Sequence, residues 1–337
     1  MSETDGDAPQ TDDPRMIYET VSAEVEGVLV GNETAIEHLT IALLTRGHLL
    51  LEGVPGVAKT TIANLFGRAT GMDYTRIQMT PDILPADITG THIYREPVGE
   101  FELRRGPVFA NLVVADEINR ATPKTQSALL EAMEERTVTI EGETLPLPEP
   151  FMVVATQNPI EMEGIFELPE AQRDRFMFKI TIDLPDRETE SELLDRFDNN
   201  PDLGPDATTQ TVDLGSLADA REAVASVHVA DPVKTYILDI VAATRTHPDV
   251  TFGASPRATL AFLNGAKARA AIRGRTYAIP DDIKALATQI LAHRMVLSTD
   301  ADLSNVDPET IVSEIVDSVT VPDVGDDALE IPVNDTV

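Results

Sequence analysis

The chain reads as an α/β protein, with a parallel five-stranded sheet wrapped by helices and a smaller all-helical domain behind it. Three observations predict this. Five short apolar runs, "HLLLEG", "YTRIQM", "NLVVAD", "FMVVATQNP" and "FKITIDL", are separated by segments of helical period, the pattern of strands joined by crossover helices. The runs are apolar at successive positions rather than alternating, as when both faces of a sheet are covered. Beyond Pro185 the strands cease and helix follows helix.

Taken in order, residues 1–14 are an acidic tail expected to be disordered. "RMIYETVSAEVEGVLV" and "GNETAIEHLTIALLTRG" are helical by period, the second with Asn32 as its N-cap. "HLLLEG" is a buried strand, "TTIANLFGRAT" a helix ending near Gly71, and "YTRIQM" the next strand. "HIYREPVGEFELRRG" is a hairpin turning at Pro97–Gly99. The strand "NLVVAD" is followed by the helix "PKTQSALLEAMEER", with Pro123 in its first turn. "TVTIEGETLPL" alternates and turns at Gly142, a second hairpin, and the last two strands follow. From residue 185 to 322 the predicted helices are "RETESELLDRF", "LADAREAVASV", "PVKTYILDIVAATR", "SPRATLAFLNGAKARAAIR", "PDDIKALATQILAHR" and "DPETIVSEIVDSV". An acidic, loose end is expected over 323–337.

Composition narrows the function classes. Net charge is -32, from 58 acidic and 26 basic residues spread along the whole chain, so clustered Lys and Arg for a nucleic-acid backbone are missing. Such a surface suits a salt-loaded cytoplasm, where dense carboxylates keep a protein hydrated; a basic partner is the competing reading. The 0 cysteines exclude disulfides and thiolate metal sites. The acidic start lacks the apolar core of a secretory signal, and no apolar run is long enough to span a membrane, so a cytoplasmic protein is expected. The scattered histidines offer no metal-ligand spacing, and no Ser-His-Asp arrangement stands out.

The chemistry concentrates at three strand ends. Gly53, Val54, Pro55, Gly56, Val57, Ala58, Lys59 and Thr60 follow the first strand and open a helix with Thr61. This is the phosphate-loop pattern G-x-x-x-x-G-K-S/T with Ala58 in place of the second glycine. Inward backbone N–H groups and a helix N-terminus would cradle an anion, Lys59 would reach the β- and γ-phosphates, and Thr60 would ligate Mg²⁺. Alanine can stand at position 58 where the loop keeps φ negative. Asp116 and Glu117 end the strand "NLVVAD", where open α/β sheets bind ligands; Asp116 is a candidate Mg²⁺ ligand and Glu117 a candidate general base. Asn158 ends "FMVVATQNP" and could orient water at a γ-phosphate, or simply serve the turn before Pro159.

The set "GVPGVAKT", "ADEINRA", "ATQNP", "LPEAQRDRF" and "GASPRA", in this order, resembles the MoxR group of AAA+ ATPases, over residues 15 to about 322. The resemblance implies a P-loop NTPase domain over 15–184 with hairpin inserts near 91–103 and 138–147, and a helical lid over 185–322. It implies that Lys59 and Thr60 are Walker A, Asp116 and Glu117 Walker B, and Asn158 sensor 1. Arg175 would be the arginine finger given to a neighbouring subunit, with Arg173 an unusual second arginine beside it. Arg257 would be sensor 2, and Val30 and Gly31 would lie near the adenine. Read from the residues alone, Ser255–Pro256–Arg257 is an N-cap followed by the first two helical positions, and Arg175 could equally pair with Asp174 or Asp186. The implied activity is Mg²⁺-dependent ATP hydrolysis in a homo-oligomeric ring, hexameric in expectation. It would serve chaperone-like remodelling or metal loading of a partner, often a protein with a von Willebrand A domain. The implied source is a halophilic archaeon. A magnesium-chelatase-like motor subunit and a nucleotide-switched scaffold with little hydrolysis remain the alternatives; a helicase is disfavoured by the missing basic patch.

Overall fold

We describe a computed structural model of the chain over residues 12–97, 99–159, 164–201 and 203–323. The acidic ends before residue 12 and after residue 323 lie outside the described residues. The chain divides into two compact units, one spanning Ile17–Leu217, the other Asp12–Met16 with Ala218 onward.

In the first unit, helices α1 (Pro14–Glu26) and α2 (Glu33–Thr45) lead into strand β1 (Leu49–Glu52), then α3 (Lys59–Ala69) and β2 (Tyr74–Gln78). A short α4 (Pro85–Thr89) precedes the hairpin β3 (Gly90–Arg95) and β4 (Glu100–Arg105). Next come β5 (Leu112–Asp116), α5 (Pro123–Glu135), the hairpin β6 (Thr137–Ile140) and β7 (Glu143–Pro146), and β8 (Met152–Gln157). Helix α6 (Glu170–Arg173), β9 (Phe178–Thr181) and α7 (Arg187–Asn199) complete it.

The five-stranded sheet has the order β2-β5-β8-β1-β9, and every pairing in it is parallel. Its central strands are apolar on both faces: β1 is buried over Leu49–Leu51, β5 along its full length and β8 up to Thr156, whereas the edge strand β2 buries only Ile77 and exposes Arg76 and Gln78. Leu50, Val113, Val153, Leu129 and Phe176 belong to one continuous apolar core. The order makes β5, β8 and β1 neighbours, so the loop after β1, the acids ending β5 and the Asn after β8 emerge side by side at the carboxyl edge.

His48 fastens the opposite, amino-terminal edge of the sheet, just before β1. Its ring is fully buried, accepts at Nδ1 from the Val153 N–H (3.0 Å) and donates at Nε2 to the Met133 carbonyl (3.2 Å), which fixes one neutral tautomer. Burial pushes its pKa down to about 4, against a smaller upward pull from the Met133 carbonyl. The unfolded chain binds this proton near pH 6.5 and the folded chain does not. Stability is therefore complete above pH 6.5 and is lost as pH falls toward 4. The loss by pH 5.5 is about 1.4 kcal/mol, before carboxylates begin to titrate. Denaturant midpoints from pH 7 to 5.5 check this: His48→Gln should flatten the slope, and an unchanged slope refutes it.

Several local expectations need correction. Helix α1 stops at Glu26 rather than Val30, because Gly27 ends it and the chain turns through Val28 and Leu29 toward Gly31, whose φ is +77°. Asn32 holds the N-cap position of α2, but its side chain does not cap; it donates instead to the Val30 carbonyl (2.9 Å). Both hairpins form at the expected places. The second turns through Glu141 and Gly142, both at positive φ as a two-residue turn requires. The first carries a Tyr94–Phe101 ring pair 5.3 Å apart, with Phe101 71 % exposed. The two hairpins meet where His92 Nδ1 lies 3.3 Å from Glu141 Oε2.

Helix α7 belongs by its contacts to the first unit, although the expected domain boundary was residue 185. Arg196 donates to the Glu26 carbonyl, Thr209 binds Glu24, and the Thr211 N–H donates to the Ala69 carbonyl, stitching residues 187–217 back onto α1 and α3. The second unit contains helices α8 (Leu217–Ser226), whose first residue lies in the first unit, α9 (Asp231–Thr244), α10 (Pro256–Ile272), α11 (Pro280–Leu291), α12 (Thr299–Leu303) and α13 (Pro308–Ser318). It also holds an unpredicted two-stranded ribbon, β10 (Val250–Phe252) with β11 (Val296–Leu297), too short to show a strand period in sequence.

Candidate active site

The loop after β1 has the backbone that an anion cradle needs. At Gly53 a Cβ would sit 2.4 Å from the Ile182 carbonyl oxygen, so glycine is required by close approach. Gly56 has φ +92° and opens the turn. Ala58 also lies in the left-handed region, at φ +64° and ψ +18°, immediately before α3. This overturns the expectation of a negative φ there. The loop keeps the conformation a glycine would adopt, and the alanine bears the steric cost, about 1 kcal/mol or more. Ala58→Gly should therefore raise the unfolding midpoint, by about 2–4 °C for a unit of this size. A calorimetric scan showing no rise, or a fall, would refute the strain.

Lys59 folds back on the loop: its Nζ donates to the Gly53 carbonyl (2.5 Å) and the Val54 carbonyl (2.9 Å). Burial pulls its pKa below the usual lysine value, while the carboxylates of Asp116, Glu117 and Glu52 pull the other way. Across the loop, Asp116 is nearly buried. Its Oδ1 accepts from the Thr156 hydroxyl (2.6 Å) and lies 3.4 Å from the Thr60 hydroxyl. Its Oδ2 accepts from the Arg76 guanidinium through Nε (3.0 Å) and Nη2. The Thr156 oxygen in turn accepts from the Glu117 N–H (2.9 Å), so one hydroxyl orients both acids. Glu117 sits at φ +57°, a second left-handed residue; its Oε2 accepts from Gln78 Nε2 (2.8 Å) and Arg120 Nη1 (3.0 Å).

Pro55, Gly56, Ala58, Lys59, Thr60 and Thr61 line one cavity of about 380 Å³ together with Asp116, Glu117, Thr156, Gln157 and Asn158. The three motifs read from the sequence thus meet. Other candidates fall elsewhere. Val30 and Gly31 lie in the turn between α1 and α2, where Gly31 faces Thr189 of α7. Arg175 pairs with Glu134 of α5 (2.7 Å), not with Asp174 or Asp186; Asp186 instead caps α7 by accepting from the Thr189 N–H. Arg257 is in the second unit at the second position of α10, where Ser255 caps as expected by accepting its N–H (3.1 Å). Arg76, Gln78, Arg120 and Thr156 were not foreseen. The available signals were the polar pair at alternate positions of "YTRIQM", an Arg three residues after Glu117, and a polar residue inside an apolar strand.

Residues 48–178 match the model of the ATPase family associated with various cellular activities (AAA), and residues 242–315 match the AAA lid domain. Chaperone MoxR1 of Mycobacterium tuberculosis is 45% identical over 310 residues, which cover 89% of this chain and 81% of that protein. Protein MoxR of Methylorubrum extorquens is 32% identical, over 81% of this chain and 86% of its own length. The chain belongs to the MoxR family of AAA+ ATPases. A crystal structure of a candidate ATPase from Cytophaga hutchinsonii superposes on this MoxR-family chain with a TM-score of 0.85 and 40% identity, covering 92% of it and 96% of the other. The parallel sheet, the phosphate-loop cavity and the helical lid are those of a AAA+ ATPase. No helix among the described residues of this family member is long and apolar enough to cross a membrane, and no cluster of His, Asp and Glu among them could hold a structural metal.

Proposed function

We propose that this chain binds ATP with Mg²⁺ and hydrolyses it to ADP and phosphate at the interfaces of a homo-oligomeric ring, hexameric in the simplest case. The carrying observation is that the loop residues Pro55, Gly56 and Ala58 line one cavity with Lys59, Thr60, Asp116, Glu117 and Asn158. Thr60 and Asp116 offer hard oxygen donors 3.4 Å apart at its floor, a donor set that fits Mg²⁺. When bound there, the ion supplies neutralisation of phosphate charge. Lys59 exchanges its loop carbonyls for the β- and γ-phosphates. Glu117 takes the proton of the attacking water, and Asn158 orients that water. Arg175 of a neighbouring subunit stabilises charge developing on the transferred phosphoryl group. Arg257 contacts a nucleotide, its own chain's or a neighbour's, and Val30 and Gly31 border the adenine. Ala58, the one residue favouring an idle nucleotide switch, keeps the left-handed conformation of the full glycine pattern, which supports the hydrolytic reading.

The work done is chaperone-like remodelling or maturation of a partner protein, with metal insertion one form of it and a von Willebrand A domain protein the expected partner. Calorimetric titration with MgATP in concentrated KCl, paired with phosphate release, tests the site. At a nucleotide concentration about a hundred times the dissociation constant, the native chain should gain about 2.7 kcal/mol. Lys59→Ala should weaken binding at least about tenfold. Absence of both heat and thermal protection in the wild type would sink the proposal.

A further inference from the structure

The contacts of Asp116 present a problem in charge. The chain carries -32 overall, yet three cations surround Asp116 and Glu117: Arg76 and Arg120 are in direct contact with them, and Lys59, held by the Gly53 and Val54 carbonyls, feels both carboxylates at longer range. Glu52, which ends β1 nearby, is already paired with Lys179 of β9. The site is thus a small cationic island in an acidic protein. That balance attracts a polyphosphate and disfavours a bare divalent cation.

Arg76 decides the sign of the island. Parallel pairing of β2 with β5 sets Arg76 beside Val114 and Gln78 beside Asp116, so the arginine reaches the carboxylate along the strand edge. Two of its nitrogens fall on Oδ2, while Nη2 also donates to Gln78 Oε1 (3.0 Å). Oδ2 is therefore occupied, and Oδ1 stays turned toward Thr60 and Thr156. A carboxylate this buried attracts whatever cation reaches it, and a guanidinium in direct contact satisfies that demand without closing the face toward Thr60. Pairs in contact keep their attraction in concentrated salt, where longer-range fields are screened.

We propose that Arg76 is a positioning counter-ion that keeps Asp116 from capturing a divalent cation by itself, so that the metal enters the cavity only together with the phosphates of the nucleotide. The inference rests on the metal–nucleotide reading above. It assigns a role to a residue outside the loop and the two acids, one that acts through Asp116 rather than on substrate.

The test uses Mn²⁺ as the probe, counted by electron paramagnetic resonance on the full chain in concentrated KCl without nucleotide. Wild type and Asp116→Asn should bind equal amounts of free Mn²⁺, since Asp116 holds none. Arg76→Gln should gain one site about tenfold tighter than any in the wild type, and Arg76→Gln/Asp116→Asn should lose it again. MgATP affinity of Arg76→Gln, measured in parallel, should fall, since the island loses one of its three cations. A wild type that loses a Mn²⁺ site on Asp116→Asn overturns the proposal even if the Arg76 variants fail to fold. Folded Arg76→Gln with wild-type Mn²⁺ affinity overturns it, and MgATP binding by the wild type then leaves the nucleotide reading in place. A wild type that binds no MgATP overturns both.

Discussion

Glu117→Gln is expected to keep ATP bound and to lose turnover by about 10²–10⁴-fold, the range of a general base. The substitution is close to isosteric, and the amide oxygen can still accept from Gln78 and Arg120, the partners that Glu117 holds at 2.8 and 3.0 Å. The loop, Lys59 and Thr60 are untouched, so nucleotide affinity should stay near wild type. What disappears is the carboxylate proposed to accept a proton from water. Because Glu117 occupies a left-handed backbone position, a change of side-chain shape would add strain to the measurement, and glutamine avoids that. Single-turnover phosphate release compared with equilibrium ATP binding separates the two quantities. Near-wild-type release from the variant would remove Glu117 from its assigned role.

Arg175→Ala should be comparably damaging, about 10³-fold or more in turnover with little change in ATP affinity, if its guanidinium serves a neighbouring subunit. Arg175 pairs with Glu134 and is not part of the wall of its own chain's cavity. Arg173→Ala, two residues earlier at the end of α6, should cost less than about tenfold. Mixing is decisive. Chains carrying Glu117→Gln and chains carrying Arg175→Ala are each expected to be inactive. A ring built from both contains interfaces with an intact Glu117 on one side and an intact Arg175 on the other. Recovery of phosphate release on mixing is the expected result; no recovery would place Arg175 within its own subunit or outside the chemistry altogether.

Much of this was legible in the residues because the physics behind it is local. The apolar runs of β1, β5 and β8 are legible as strands, since a strand buried on both faces needs no partner information to be recognised, while β2 sits at the sheet's edge with Arg76 and Gln78 exposed. The Gly53–Thr60 pattern names a loop whose backbone is set by its own sequence, and Pro123, Ser255 and Gly142 each mark a cap or turn by local sterics. What stayed hidden depends on strand order and register. Arg76 and Gln78 reach the two acids only because β2 pairs with β5, two elements almost forty residues apart in the chain. Thr156 joins the site through the neighbouring β8 in the same way. The backbone sign at Ala58 was hidden for a different reason. Alanine rarely adopts that region by preference, so only the constraint imposed by both ends of the loop reveals it.

The pairing of His92 with Glu141 has a mechanical side. It ties the hairpin that carries Tyr94 and Phe101 to the β6–β7 ribbon, and five residues separate the end of β7 from β8, the strand that ends beside Asn158. If Asn158 serves the chemistry proposed for it, a partner pulling on those rings and the water that residue aligns would share one stretch of chain, from Glu143 to Asn158.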